Sequence, residues 1–211
     1  MSFDLLAPHY RWLEAVLAAN KLQRCRTAFL DRVAVAKNVL IAGEGNGRFL
    51  TECRRALPAA RITVVESSLG MLNAAARRLA VSGLSPDGIE FVHSDLLGWR
   101  PRPHTFDLIV THFFLDCFPA AQLKRAVHTL ADAATDNSTW LLADFRIPAR
   151  GLKRYRAEAI HQLMYTFFRA ITRLPARVLT PPDLFLIAQG FCLRERRVCE
   201  WGLLQSDLWM R

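Results

Sequence analysis

The sequence lacks the features that mark secreted, disulfide-bonded and membrane-spanning proteins. Its five cysteines are odd in number and form no C-x-x-C pair, so neither a disulfide framework nor a zinc site is predicted. No apolar run approaches the roughly 20 residues that a membrane-spanning helix requires. An early acid, Asp4, and a proline, Pro8, stand where a signal peptide has a basic start and an apolar core. We therefore expect a cytoplasmic protein.

Repeats, low-complexity tracts and signs of a second domain are also missing. The 211 residues are 52% hydrophobic and 22% charged, which predicts a single globular domain over residues 1–211 with a sizeable core. The formal net charge of +9 suits nucleic acid, an acidic membrane surface or an anionic substrate. Because the arginines are scattered, we interpret them as solvated surface charge and do not expect a nucleic-acid partner. No pattern indicates an oligomeric state.

Residues 39–50 combine an apolar strand, a glycine-rich turn and the first turn of a helix. Gly43, Gly45 and Gly47 alternate with other residues, so the backbone can turn sharply and a ligand can lie against it. The dinucleotide fingerprint G-x-G-x-x-G spaces its third glycine differently. A carboxylate from Glu44 within the turn would also repel a pyrophosphate. The turn therefore favours a cationic ligand over a nicotinamide dinucleotide.

Strands and helices alternate along the sequence, as is typical of a doubly wound parallel sheet. The predicted strands are residues 38–42, 62–65, 89–93, 106–111 and 140–143. The predicted helices are residues 10–34, 47–56, a segment ending near residue 81, and 119–134. Residues 191–198 and 202–210 are two strands with too few residues between them for a helical crossover. They therefore form a hairpin, and the last strand runs antiparallel to its neighbours.

The G-x-G-x-G turn after a strand, with a carboxylate in the loop, resembles motif I of the class I S-adenosylmethionine (SAM)-dependent methyltransferases. The closing antiparallel hairpin is similar to their architecture. The resemblance implies an α/β, Rossmann-like fold with a doubly wound, seven-stranded, mostly parallel sheet and an antiparallel C-terminal hairpin strand. It implies SAM as the cofactor and S-adenosylhomocysteine (SAH) as the product. SAM carries a sulfonium and an ammonium but no phosphate, in agreement with the charge of the turn.

Acids and an apolar residue that follow the predicted strands extend this resemblance. Glu66 lies at the place, about 20 residues beyond the glycine turn, where an acid accepts hydrogen bonds from ribose hydroxyls; a surface acid that begins a helix is the alternative. Asp95 resembles the acid that contacts adenine, beside the backbone of Leu96, and is equally compatible with a helix N-cap. Met71 resembles the residue that packs on adenine, or is core. The predicted cofactor site comprises Tyr10, Gly43, Glu44, Gly45, Gly47, Glu66, Ser67, Met71, Asp95, Leu96 and Thr111.

Residues 3–13 resemble the opening F-D-x-x-A-x-x-Y-D of the quinone-biosynthesis-type methyltransferases. The resemblance implies that residues 1–34 form a helical lid over the cofactor, with Tyr10 facing its methionine part. Two positions depart from the family pattern: Arg11 replaces an aspartate, and Ile41 replaces the acid that helps to hold the methionine ammonium. We hypothesise that Glu44 supplies the missing negative charge from within the turn.

Residues 111–118 follow the fourth predicted strand, where the family places the residues that face the methyl acceptor. His112 is the predicted general base, because imidazole can accept a proton near neutral pH; a structural histidine is the alternative. Asp116 is predicted to orient His112 or to contact the acceptor, and it also stands where the helix opened by Pro119 needs a cap. Cys117 is interpreted as a small buried hydrophobe, since the Pro-Cys context of a thiol nucleophile is missing.

The predicted acceptor-binding residues are Phe113, Phe114, His161 and Tyr165. The last two lie on one face of an added helix, residues 151–174, which either packs on the sheet or covers a substrate pocket. The phenylalanines favour a hydrophobic or aromatic small molecule, so we expect a small-molecule methyltransferase, with O-methylation favoured and N- or C-methylation open. An RNA methyltransferase and a SAM-binding sensor without turnover are the alternatives.

Overall fold

The structure, a computed structural model, describes residues 19–172 and 178–211, with side chains omitted for 163–165 and 167–172. The strands are β1 (Asn38–Ala42), β2 (Arg61–Glu66), β3 (Ile89–His93), β4 (Phe106–His112), β5 (Ala134–Phe145), β6 (Cys192–Cys199) and β7 (Leu204–Met210). The helices are α1 (Ala19–Arg26), α2 (Arg48–Ala56), α3 (Leu69–Val81), α4 (Ala120–Ala133), α5 (Leu152–Thr172) and α6 (Asp183–Ala188). Short 3-10 turns span Leu30–Val33, Leu115–Cys117 and Glu200–Gly202.

The seven strands form one sheet in the order β3-β2-β1-β4-β5-β7-β6. Strands β1 to β5 pair in parallel, whereas β7 pairs antiparallel with both β5 and β6. The predicted doubly wound, mostly parallel sheet and the antiparallel last strand are therefore confirmed. The carboxyl ends of β1, β2, β4 and β5 meet at one edge, the usual place of ligand binding in open α/β sheets.

Alternating side chains of the central strands supply a core on each face of the sheet. Leu40 and Ala42 point into a core that includes residues of α4 and α6. Val39 and Ile41 point into a second core that includes residues of α2 and α3. Near-continuous apolar strands are expected where helices cover both faces of a parallel sheet. Ile41 is 2% exposed, because it fills the core at the position where the family has an acid.

Some predicted boundaries were wrong. Helix α1 ends at Arg26, and a separate 3-10 turn follows at Leu30–Val33. The predicted single helix over residues 10–34 therefore does not continue to residue 34. Strand β5 begins at Ala134 instead of residue 140, and the shift in its register with β4 between Phe106 and Leu108 shows a bulge in this added part. Helix α6 was not predicted. The predicted helix over residues 151–174 is present as α5.

None of the helices within residues 19–172 and 178–211 combines the length and the apolar character needed to traverse a lipid bilayer.

Candidate functional site

The glycine turn is fastened to the end of β2 by its own backbone. The N–H of Gly43 donates to the carbonyl of Val65 at 2.9 Å. The N–H of Gly45 donates to Oε2 of Glu66 at 3.2 Å, and the N–H of Ser68 donates to Oε1 of Glu66 at 3.0 Å. Burial raises the pKa of the Glu66 carboxyl, while these backbone donors oppose the shift. The predicted ribose-binding acid is therefore held at the edge of the turn with a fixed orientation.

Gly43 and Gly47 are required by their surroundings. Both have positive φ, +71° and +84° respectively. A Cβ on Gly43 would lie 2.0 Å from Cδ2 of Phe114, and one on Gly47 would lie 2.6 Å from Cα of Ala75 in α3. The Phe114 ring thus covers the first glycine of the turn, and it packs edge-on against Phe118 with centroids 5.1 Å apart. The predicted acceptor residue Phe114 lies at the glycine turn itself.

The Glu44 carboxylate caps helix α2. Its Oε1 accepts the backbone N–H groups of Phe49 and Leu50, each at 3.0 Å. A carboxylate at this place satisfies otherwise unpaired donors and complements the helix dipole. Burial raises the pKa of Glu44 to about 7, against the lowering effects of the Leu50 N–H and the Arg26 charge. The hypothesis that Glu44 also attracts an ammonium therefore rests on its other oxygen, Oε2.

Arg26, at the end of α1, is a buried cation that the sequence analysis did not identify. It is 7% exposed, and its guanidinium carbon lies 5.1 Å from the centroid of the Phe113 ring. Its positive charge lowers the pKa values of both Glu44 and His112. Among residues 19–172 and 178–211, Nη1 of Arg26 has no hydrogen-bond partner. A buried, incompletely paired guanidinium is costly, and an anionic ligand group would remove this cost.

His112 ends β4 on the α2 side of the sheet. Its ring meets Phe49 edge-on, with centroids 4.5 Å apart. It is 8% exposed, and its Nδ1 has no partner within the described part of the chain. Burial, reinforced by the charge of Arg26, lowers the pKa of His112 well below 6.5. The imidazole is therefore neutral at physiological pH, and it is a weak base.

This buried neutral histidine predicts a loss of stability in mild acid. Below pH 6.5 the unfolded chain protonates His112 while the folded protein does not, so the free energy of unfolding falls as the pH is lowered. We expect the difference in this free energy between wild type and His112→Gln to change by about 1 kcal/mol from pH 7.5 to pH 5.5. Urea unfolding at the two pH values measures it, and titration of Glu44 largely cancels in the difference.

His128→Gln is the matched control, because His128 is an exposed histidine on α4. It is expected to follow the wild-type pH dependence. Equal slopes for wild type, His112→Gln and His128→Gln would contradict the neutral, buried state of His112.

Three aromatic side chains form a column beside Arg26, which we call the aromatic column: Phe113, Phe145 and His161. The centroids of Phe113 and Phe145 are 5.2 Å apart, and those of Phe145 and His161 are 5.5 Å apart. Phe113 has a positive φ of +53°, so its backbone is strained where β4 ends. Burial lowers the pKa of His161, against a hydrogen bond to the backbone of Arg146. The column joins the ends of β4 and β5 to α5, and it brings together the predicted acceptor residues Phe113 and His161.

Two buried acids lie at the carboxyl ends of β4 and β5. Asp116, 9% exposed in the 3-10 turn, lies 3.6 Å from the Cys117 sulfur, whose thiol donates to its Oδ1. Asp144, 2% exposed, accepts the N–H of Phe145 at 2.8 Å and a backbone hydrogen bond from Asp116. Burial raises the pKa of Asp116 to about 6, and burial together with the Asp116 charge raises that of Asp144 well above its usual value. The N-cap residue of α4 is Pro119, so Asp116, three positions earlier, is not the N-cap residue of this helix.

The remaining predicted cofactor residues line the ends of β2, β3 and β4. Met71 is 3% exposed, and its N–H is capped by Ser68 Oγ at 3.1 Å. Ser67 Oγ donates to Glu66 at 3.5 Å. Exposed Asp95 accepts the N–H of Leu97 at 3.0 Å beside buried Leu96. Thr111 is buried, and its hydroxyl accepts the Trp140 indole N–H at 2.8 Å.

Two predicted site residues are not placed by the structure. Tyr10, with the rest of residues 1–18, falls outside the described residues, and so does the side chain of Tyr165. Asp144, by contrast, is a candidate that the sequence analysis missed. It directly follows an apolar strand, the same signal that identified Glu66 and Asp95.

Comparison with known proteins fits this geometry. Residues 39–137 match a family described as "Methyltransferase domain". This segment contains the glycine turn, Glu66, Asp95, His112 and Asp116, and the sheet that carries it has the topology described above. Residues 39–137 therefore carry a methyltransferase domain, and the sheet has the class I SAM-dependent methyltransferase fold. No curated protein matches the sequence at a significant level.

Solved structures share the fold of this methyltransferase domain at low sequence identity. Mitomycin 7-O-methyltransferase MmcR aligns over 100% of the chain and 61% of its own, with a TM-score of 0.72 and 18% identity. N-methyltransferase NodS from Bradyrhizobium japonicum WM9, in complex with SAH, aligns over 91% of the chain and 84% of its own, with a TM-score of 0.62 and 16% identity.

Magnesium protoporphyrin IX methyltransferase ChlM from Synechocystis PCC 6803, with bound SAM, aligns over 92% of the chain and 81% of its own. Its TM-score is 0.64 and its identity is 16%. The chain thus spans about three fifths of MmcR and most of the other two proteins.

Proposed function

We propose that this protein transfers a methyl group from SAM to a hydrophobic or aromatic small molecule, with oxygen as the favoured acceptor atom. The observation that carries the proposal is the placement of the glycine turn, Glu66, Arg26 and the aromatic column around the carboxyl ends of β1, β2, β4 and β5. The proteins of similar fold include an O-methyltransferase and an N-methyltransferase. The choice of oxygen as the acceptor atom is therefore the more specific part of the proposal.

The charged residues of the site match the charges of SAM. Glu66, oriented by two backbone donors, accepts hydrogen bonds from the ribose hydroxyls. Arg26 binds the methionine carboxylate through its guanidinium, whose Nη1 has no hydrogen-bond partner among the described residues. Glu44 Oε2 attracts the ammonium, and Met71 and Leu96 pack on the adenine. Gly45 lets the cofactor approach the backbone, while Gly43 leaves room for the Phe114 ring beside it.

When bound, SAM supplies an electrophilic methyl group on a sulfonium. The protein holds the acceptor in line with that methyl group and excludes water, which is the main part of catalysis in such a displacement. The aromatic column provides an apolar wall for the acceptor. Of the two predicted catalytic residues, Asp116 is the better proton acceptor, because its pKa of about 6 lies closer to neutral pH than that of His112.

Incubation with labelled SAM and a panel of phenols, quinols, amines and RNA tests the proposal. Label transfer to a phenol or quinol supports the proposal. Label transfer to amines alone would show that the acceptor atom is nitrogen and not oxygen. Transfer to RNA only, or SAM binding without transfer to any acceptor, would overturn it in favour of the RNA methyltransferase or the sensor.

Replacement of Arg26 tests the cofactor part of the proposal. We expect Arg26→Met to weaken SAH binding about 10- to 100-fold, since a charge-assisted hydrogen bond contributes about 1.5–3 kcal/mol. Isothermal titration calorimetry measures the change. Arg24→Met is the matched control, because Arg24 is an exposed arginine on the same helix. Equal SAH affinity in the two variants would show that Arg26 does not bind the cofactor.

A further inference from the structure

Cys25 and Cys199 bring two thiols into contact from opposite ends of the chain. Their sulfur atoms are 2.8 Å apart, although the residues are separated by 174 positions. Cys25 lies near the end of α1 and is 3% exposed, whereas Cys199 ends β6 and is half-buried. A disulfide bond is about 2.05 Å long, so the sulfurs need to approach by less than about 1 Å.

Other contacts fix the positions of the two cysteines relative to each other. The Ser206 hydroxyl of β7 donates to the Cys25 carbonyl at 2.8 Å. Lys21 of α1 forms an ion pair with Glu200, the residue after Cys199. Cys25 also belongs to an apolar cluster of the hairpin, against which Cys199 packs. The backbone on both sides is therefore fixed, and a bond between the sulfurs requires no rearrangement of the fold.

We propose that Cys25 and Cys199 are a redox modification site, in which a small disulfide such as oxidised glutathione converts the two thiols to an intramolecular disulfide. The half-buried Cys199 attacks the oxidant as a thiolate, forming a mixed disulfide and releasing one glutathione thiol. The Cys25 sulfur then attacks the Cys199 sulfur and releases the second glutathione thiol. Two protein thiols are oxidised, one glutathione disulfide is reduced, and the two thiol protons pass to the released glutathiones.

The environments of the two thiols support this order of attack. Burial and the hydrogen bond to Cys199 raise the pKa of Cys25 to about 12, so Cys25 remains a thiol at neutral pH and does not react first. Reversible, regulatory disulfides are the kind that reducing compartments permit. Once formed, the bond fastens α1 to the β6–β7 hairpin and fixes the helix end that carries Arg26.

Mass spectrometry of the full chain tests the site without reference to methyl transfer. After treatment with oxidised glutathione and alkylation in denaturant, we expect two fewer alkylated thiols, no retained glutathione, and linked peptides that contain Cys25 and Cys199. We also expect the oxidised protein to melt about 5 °C or more higher, reversibly with dithiothreitol, because the bond closes a long loop.

Two variants separate this pair from the other cysteines. Cys192→Ser, at an exposed cysteine on the same strand, is expected to oxidise and gain stability like the wild type. Cys199→Ser is expected to retain its remaining thiols and show no gain. The proposal would be overturned by glutathione retained on Cys199 in the wild type, by a link that involves Cys192, or by a link between two chains.

Discussion

Gly43→Ala is expected to weaken SAH binding by at least about 100-fold, which corresponds to about 3 kcal/mol. The added methyl group would lie 2.0 Å from Cδ2 of Phe114, whereas non-bonded carbons pack at about 3.5–4.0 Å. Relief requires movement of the Phe114 ring or of the turn, and the hydrogen bond from Gly43 to Val65 opposes the second. Calorimetry with SAH measures the loss, and circular dichroism checks that the fold remains.

Gly83→Ala separates the steric clash from the backbone conformation. Gly83 has a φ of +67°, similar to that of Gly43, but no atom of a described residue other than its chain neighbours lies within 4 Å of the position that a Cβ would occupy there. Alanine at this position is expected to cost about 1–2 kcal/mol of stability and to leave SAH affinity unchanged. The double variant Gly43→Ala/Phe114→Ala is expected to recover part of the lost affinity, because the clash is gone and the strain remains. Wild-type affinity in Gly43→Ala would show that this turn does not contact the cofactor.

Asp207→Asn is expected to destabilise the fold by about 3 kcal/mol, because it breaks a buried ion pair from one side. The side chain of Asp207 is fully buried in β7 and binds Arg196 of β6 through two hydrogen bonds of 2.7 Å. An asparagine keeps one acceptor but turns an amide N–H₂ group towards the guanidinium. In a chain of this size the loss corresponds to a melting temperature roughly 6–12 °C lower, which thermal unfolding measures.

Asp183→Asn provides a control at the same guanidinium. Asp183 also contacts Arg196 at 2.7 Å, but its side chain is 27% exposed. Its replacement is expected to cost about 1 kcal/mol or less, since solvent screens exposed pairs. If both variants lost the same stability, burial would not be what makes the Asp207 pair strong.

The fold was predictable because its strongest signals are local. Short apolar strands such as 38–42 and 89–93 alternate with helices, and their bounds agree with β1 and β3. The first part of β5 escaped prediction because residues 135–139 are polar and resemble a loop. Ala134 and Thr139 pair with Phe106 and Leu108 of β4, and the residues between them form a bulge, which depends on the neighbouring strand and leaves no signal in their own sequence.

In the candidate site, too, the residues with local sequence signals were predicted and those that depend on long-range contacts were not. Glu66 and the glycine turn were predicted because their spacing along the chain reflects the strand and turn between them. Arg26 was not, since its burial depends on the docking of α1 over the ends of the strands, a long-range contact. The contact between Cys25 and Cys199 is equally non-local. Residues that meet only through tertiary packing have no characteristic separation along the sequence, so their contact cannot be predicted from spacing.

The position of β7 also constrains the order in which the sheet is completed during synthesis. Strand β7 is the last strand in the described sequence, yet it lies inside the sheet, between β5 and β6. As the chain leaves the ribosome, β5 therefore has an unpaired edge and β6 has no neighbour until residues 204–210 emerge. Such edges attract other strands and lead to aggregation. The edge of β5 thus stays open to pairing with other strands until residues 204–210 can add to it.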